Sequence, residues 1–194
     1  GGTFEYQKHG ETRTDRNRTN WVQDTILNAS SGFTQGTVGV KTELAVYNAL
    51  VLDRSKRDIK GGSNRTLADS NGDAVDQWSK LGLANVQFRV SNTTLTAGRQ
   101  NFSSGIVDTI GNRALPSSFE GVAIHSEELN NLAFDLATFD RNSPRTEESQ
   151  RKFRSEYADE IIEIDHVNTA GITYQPFASL TTSLWGTQAE DATR

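Results

Sequence analysis

Cysteine is absent from the 194 residues, so neither a disulfide nor a thiolate metal site is available. That absence fits an exported bacterial protein. No stretch of about 18 apolar residues occurs, which excludes a membrane-crossing helix. Hydrophobic residues are scarce at 34%, below the level typical of a globular domain with a sizeable core. A hollow barrel tolerates that scarcity, because its outer apolar band uses only every second residue of each strand. Basic residues give no excess: 20 Lys and Arg against 25 Asp and Glu leave a net charge of −5, so no nucleic-acid partner is expected. His9, His125 and His166 are scattered without metal-ligand spacing, and neither a G-x-S-x-G elbow nor a phosphate-cradling glycine loop occurs. An enzyme is therefore not expected, nor any cofactor. Residues 69–73 imitate the start of a calcium loop, but the glycine is misplaced and the terminal glutamate missing, so they read as a solvated loop. No signal peptide is visible ahead of Gly1-Gly2, which reads as a mature or trimmed beginning.

What is present is alternation. From Thr37 to Leu50, Val38, Val40, Thr42, Leu44, Val46, Asn48 and Leu50 share one face, while Gly39, Lys41, Glu43, Ala45 and Tyr47 share the other. A period of two marks a strand. Fourteen residues exceed the roughly five or six usual in soluble proteins and suit a tilted strand crossing a bilayer. Residues 21–29 form the partner strand, joined through the turn at 30–36. The same pattern recurs in 77–92, 94–101, 121–126, 132–137, 161–174 and 178–186, and 3–9 reads as a first strand, nine in all. Within 140–160, EESQRKFRSEYADEI has helix-compatible composition.

Long connections (10–19, 51–76, 102–120, 140–160) alternate with short ones near 31–36, 91–93, 127–131 and 175–177. In an up-and-down antiparallel sheet this gathers the long loops at one end and the tight turns at the other, as in an outer-membrane barrel. Trp21, Phe33, Trp78, Tyr174 and Phe177, near strand ends, are read as interfacial girdles. The fold class expected is all-β, an antiparallel up-and-down transmembrane β-barrel. Nine strands are an odd number and would leave open edges in lipid, so residues 1–194 are expected to be the N-terminal portion of a larger single barrel. The alternative is a soluble β-rich carbohydrate-binding or adhesion module.

Several segments resemble the OprD family of substrate-specific porins of Gram-negative outer membranes. They are Asn20-Trp21-Val22-Gln23 entering a strand, the turn Ser31-Gly32-Phe33-Thr34-Gln35-Gly36-Thr37-Val38-Gly39, Ser79-Lys80-Leu81-Gly82 at a strand start, Arg113-Ala114-Leu115-Pro116-Ser117-Ser118-Phe119-Glu120-Gly121 after the fifth strand, and Ala178 to Gly186 with Glu190-Asp191. They run in family order over nearly the whole chain, and the turn is the most specific. The resemblance implies an 18-stranded barrel of which this is roughly the first half. It also implies passive uptake of small, mostly carboxylate-bearing solutes past a ladder of basic residues, with the loop 102–120 folded into the pore. The expected surroundings are outer-membrane lipid and lipopolysaccharide, and the expected assembly a monomer or weak homotrimer.

If the even face of 37–50 meets lipid, Lys41 and Glu43 face the lumen, since charge at the lipid midplane costs about 2–4 kcal/mol. The same parity sends Arg89 inward beside Asn85 and Gln87, and Arg113 lies in the inward loop five residues after Asp108. Charged groups at a constriction set ion preference by Coulomb attraction. Lys41 and Glu43 are read first as groups paired within the wall, and Arg113 first as a guide for anions. The face of Arg99 is left open by the alternation.

Overall fold

In the computed structural model the chain is described at residues 2–7, 18–54, 67–69, 71, 73–111, 114–157 and 160–191. Ten strands form one antiparallel sheet: β1 (Gly2–Gln7), β2 (Arg18–Ser30), β3 (Gly39–Arg54), β4 (Gln77–Val90), β5 (Thr93–Gln100), β6 (Ser118–Leu129), β7 (Leu132–Ser143), β8 (Phe153–Tyr157), β9 (Glu160–Phe177) and β10 (Leu180–Asp191). Strands pair with their sequence neighbours, except that β7 pairs directly with β9, whose first residues also carry β8 as a short hairpin partner. The connections 31–38, 91–92, 130–131 and 178–179 lie at one end of the sheet, and the described residues of the connections after β3 (67–69, 71, 73–76), β5 (101–111, 114–117) and β7 (144–152) at the other. Ser91 (φ 53°) and Asn131 (φ 63°) take the left-handed backbone that two-residue hairpin turns demand.

Strand count and boundaries differ from the sequence expectation. Among the described residues the sheet has ten strands rather than about nine, and no helix forms: the segment with helix-compatible composition contributes β8 instead. Phe153 pairs with Ile164 and stacks on Phe119 at 6.0 Å, contacts that an isolated helix could not supply. Strands also run further than the alternation alone shows, β3 to Arg54, β6 from Ser118 to Leu129 and β9 to Phe177, because ladder hydrogen bonds continue where the apolar period stops.

The two faces of the sheet are unlike. One is bare and apolar: Leu44 is 50% exposed, and Val46, Leu50, Phe88, Val122, Leu136, Ile172 and Leu184 are exposed beside it. Such a surface is unfavourable in water by about 25 cal/mol per Å² and favourable in hydrocarbon. Among its polar residues at mid-strand, Asn48 donates to Ser79 Oγ at 2.8 Å, which meets part of its hydrogen-bonding need without water. The other face is covered by the long connections. Val22, Ala45, Tyr47, Ala49, Trp78 and Leu83 of β2–β4 are buried there beneath Leu67, Ala114 and Leu115 of two loops. A second cluster joins Phe119, Ala123, Ala137, Phe139 and Val167 to Val107 and Phe102 of the loop 101–117.

Close approach requires glycine at several strand positions, Gly98, Gly121 and Gly171 among them, and at Gly82 the neighbour is a core side chain. A Cβ on Gly82 would lie 2.3 Å from Tyr47 Cζ, so the ring lies flat over a strand position that must lack a side chain. Gly82 is skipped in the β3–β4 ladder between Ala45 and Val46, a bulge that shifts the parity of β4. The aromatic girdle divides. Trp21, Tyr174 and Phe177 are exposed, whereas Trp78 is buried under the loops and Phe33 folds back over Gly39.

Candidate functional site

The covered face holds the polar chemistry, and the loop 101–117 is its centre. Its first half is a miniature hairpin. Phe102 and Thr109 exchange hydrogen bonds (Thr109 N to Phe102 O, 2.8 Å; Phe102 N to Thr109 Oγ1, 3.0 Å), and Ser104 Oγ accepts from the amides of Ile106 and Val107 at 3.1 and 2.7 Å. Ser117 closes its base, accepting from Ile110 N at 2.9 Å and donating from its own amide to Ile110 O at 3.0 Å. Serine and threonine are suited to this, because short hydroxyl side chains satisfy backbone amides that no ladder reaches.

The hairpin tip meets β10, where Gly105 lies under the Trp185 ring and the Phe102 and Trp185 ring centroids are 6.4 Å apart. The far end of the loop, Ala114 and Leu115, is buried with Tyr47 of β3 and Val22 of β2. The loop thus lies across the covered face from β10 to β3 rather than standing away from the sheet.

A second layer lies beside it. Residues 67–75 and 144–151 are stitched together by Ala68 N to Thr146 O (2.7 Å) and Glu148 N to Ala68 O (3.1 Å). The ion pair Glu147–Arg151 at 3.3 Å belongs to the same layer. From the wall, Lys80 of β4 donates to the carbonyls of Pro144 at 2.5 Å and Glu147 at 3.1 Å, with its ammonium 4.7 Å from the Trp78 ring centroid. Arg99 is settled too: its guanidinium pairs with Glu120 at 3.2 Å and bonds to Gln150, which also bonds to Glu120. At the rim, outside the strands, Lys152 donates to Asp165 Oδ1 at 2.7 Å, and that hydrogen bond holds the ammonium pKa above its usual value. Between the two layers is a cavity of about 290 Å³ lined by Asp108, Ile110, Ser117, Phe119, Asn142, Pro144, Arg145 and Thr146. It presents one carboxylate and one guanidinium to anything that enters, and is large enough for a small organic ion.

The residues singled out from sequence fall into two groups. Lys41, Glu43 and Arg89 lie on the covered face towards the short-turn end, where Gly39 pairs with Arg89 and Glu43 with Asn85. The Arg89 guanidinium carbon sits 4.1 Å from the Phe33 ring centroid, and Lys41 Nζ 5.9 Å from the same ring. Glu43 accepts from Asn28 and Asn85, each at 3.4 Å. Asp108 belongs to the loop, accepting from Ser103 Oγ at 2.5 Å. Arg113 lies outside the described residues. In the imitation calcium loop, Asp69 Oδ1 accepts the amides of Asn71 and Asp73, each at 2.9 Å, an ordinary turn-capping arrangement. Lys80, Glu120 and Arg145 were not singled out from sequence as site residues, and Arg99 was named there with its face left open. A lysine at core parity within a strand, two residues from Trp78, was the available signal for the first.

Residues 3–194 match a family model described as outer membrane porin, OprD family. Porin D of Pseudomonas aeruginosa is 29% identical over 178 residues, 91% of this chain and 39% of that protein. Among solved structures, Pseudomonas aeruginosa OccD3 (OpdP) is 35% identical with a TM-score of 0.75, covering 96% of this chain and 38% of that one. Pseudomonas aeruginosa OpdK, solved with vanillate, is 28% identical with a TM-score of 0.78, covering 96% and 46%. The chain spans less than half the length of each of these relatives.

Proposed function

The chain belongs to the OprD family of outer-membrane porins, and from that premise we propose that residues 1–194 are the N-terminal portion of a single barrel that admits small water-soluble solutes, carboxylates foremost, by passive diffusion. Membership of a porin family removes the soluble binding module and the enzyme from consideration, since porins are channels. The bare face with Leu44 and Leu184 is the surface offered to lipid and lipopolysaccharide, and the covered face is the lumen wall. The assembly proposed is a monomer or weak homotrimer.

One observation carries the reading: the loop 101–117 lies across the covered face, its tip at Trp185 and its far end buried with Tyr47. Within a barrel such a loop narrows the water path to an eyelet, which supports 102–120 as the constricting segment. Arg145 and Asp108 border the cavity beside it, and Arg113 belongs to the same loop sequence. A guanidinium there offers a planar fork of donors to a passing carboxylate and stays charged at any working pH. Binding must remain weak for the solute to leave again. Lys41, Glu43 and Arg89 line the exit towards the short-turn end. The vanillate in the OpdK structure supports the carboxylate class.

The test is single-channel conductance of the full-length protein, with aromatic and sugar carboxylates added as blockers. At least one is expected to block reversibly, and Arg113→Glu is expected to shift the reversal potential towards cations and slow carboxylate uptake. Absence of block by every carboxylate, with an unchanged reversal potential in Arg113→Glu, refutes the anion-guiding role.

A further inference from the structure

We infer that Lys80 is a positioning residue that sets the bore of the channel from within the wall, rather than a charge that solutes meet. Its side chain is 7% exposed although it stands on the covered face of β4. A solute-guiding cation must be wet to attract ions. This one has given its donors to two main-chain carbonyls, Pro144 at 2.5 Å and Glu147 at 3.1 Å, and lies over the Trp78 ring. An ammonium has three donors in a compact head, and a strand side chain of four methylenes can present them to a loop passing overhead.

The segment so held is itself a hub. Thr146 accepts from the Ala68 amide, and Glu147 pairs with Ala68 as an isolated parallel bridge. Pro144, Arg145 and Thr146 line the same cavity as Asp108, Ile110 and Ser117 of the loop 101–117. Lys80 therefore ties the 144–147 segment to β4, that segment ties down residues 67–68, and the gap between the two inward layers follows from where the tie holds them. The inference rests on this geometry and not on the chemical class of the solute.

Removing the ammonium leaves two carbonyls without their donor, which shifts the equilibrium between seated and lifted 144–147 by about tenfold or more. Because the 194 residues contain no cysteine, Ala68→Cys gives a reporter at a position 2% exposed and covered by this segment. In the full-length porin carrying that reporter, Lys80→Met is expected to raise the maleimide labelling rate about tenfold and to add conductance noise with larger openings, while the reversal potential stays unchanged. Lys80→Arg, which keeps charge and donors, is expected to bring labelling back towards the parent. Heat-modifiable migration on gels verifies assembly, and Lys80→Gln, a neutral donor of shorter reach, carries the same measurement if Lys80→Met does not assemble. Labelling unchanged in the neutral variant overturns the inference. A shifted reversal potential with unchanged labelling and noise overturns it in favour of a direct charge role.

Discussion

Leu115→Ala isolates the grip of the inward loop on the wall. Leu115 is 0% exposed and packs with Tyr47, Val22 and Leu67 on the covered side of β2–β3. The substitution removes three carbons, worth about 2.4 kcal/mol at about 0.8 kcal/mol per buried methylene. The cavity left behind adds to this, within the roughly 2–5 kcal/mol seen for buried leucine truncations. Taking about 3 kcal/mol, the far end of the loop loses about two orders of magnitude in its preference for the wall. The other end keeps its own hold through Val107, through Phe102 edge-on to Phe139 at 5.0 Å, and through Gly105 beneath Trp185. The loop is thus expected to swing and not to leave. Planar-bilayer recordings of the full-length porin should show larger, noisier openings and weaker block by solutes, and limited proteolysis should cut within 101–117. Strand ladders are untouched, so heat-modifiable migration should persist. Unchanged conductance, noise and proteolysis would refute the claim that this leucine holds a pore-narrowing loop, and loss of assembly would place Leu115 in the core of the barrel itself.

Gly82→Ala puts a methyl group 2.3 Å from the Tyr47 ring and is expected to cost about 1–3 kcal/mol by overpacking. Thermal unfolding in detergent measures it, and parent-like stability would show that the ring moves freely aside. Spin labels at Val40, Leu44 and Val46 should report lipid and those at Lys41 and Glu43 water; the reverse pattern would mean the faces are misassigned, since a one-residue slip flips every side chain. A double-mutant cycle on Arg99→Ala and Glu120→Ala should give a coupling of about 1 kcal/mol, falling with salt, because the pair at 3.2 Å is only partly sheltered. Additive single effects would make the pair incidental.

Strand existence, the sidedness of β3 and the split between long and short connections are all local properties, legible because a two-residue period and turn chemistry act over a few positions. The bulge at Gly82 was not legible: only the Tyr47 ring packed on it explains why a strand position must lack a side chain. β8 was not legible for a related reason. A charged amphipathic segment satisfies a helical period and a strand period about equally, and the ladder to Ile164 with the stack on Phe119 decided between them. Lys41, Glu43 and Arg89 could be placed on a face from parity, but parity is silent on what a side chain touches once there. The partners of Lys80 stand 64 and 67 residues away in the chain, and Arg99 meets Gln150 across 51. By itself the sequence determined which residues alternate and where the chain turns. Which loop lies over which strand, and so which cations are wet and which are bound into the wall, was decided by tertiary packing, because those contacts join segments that no local period relates.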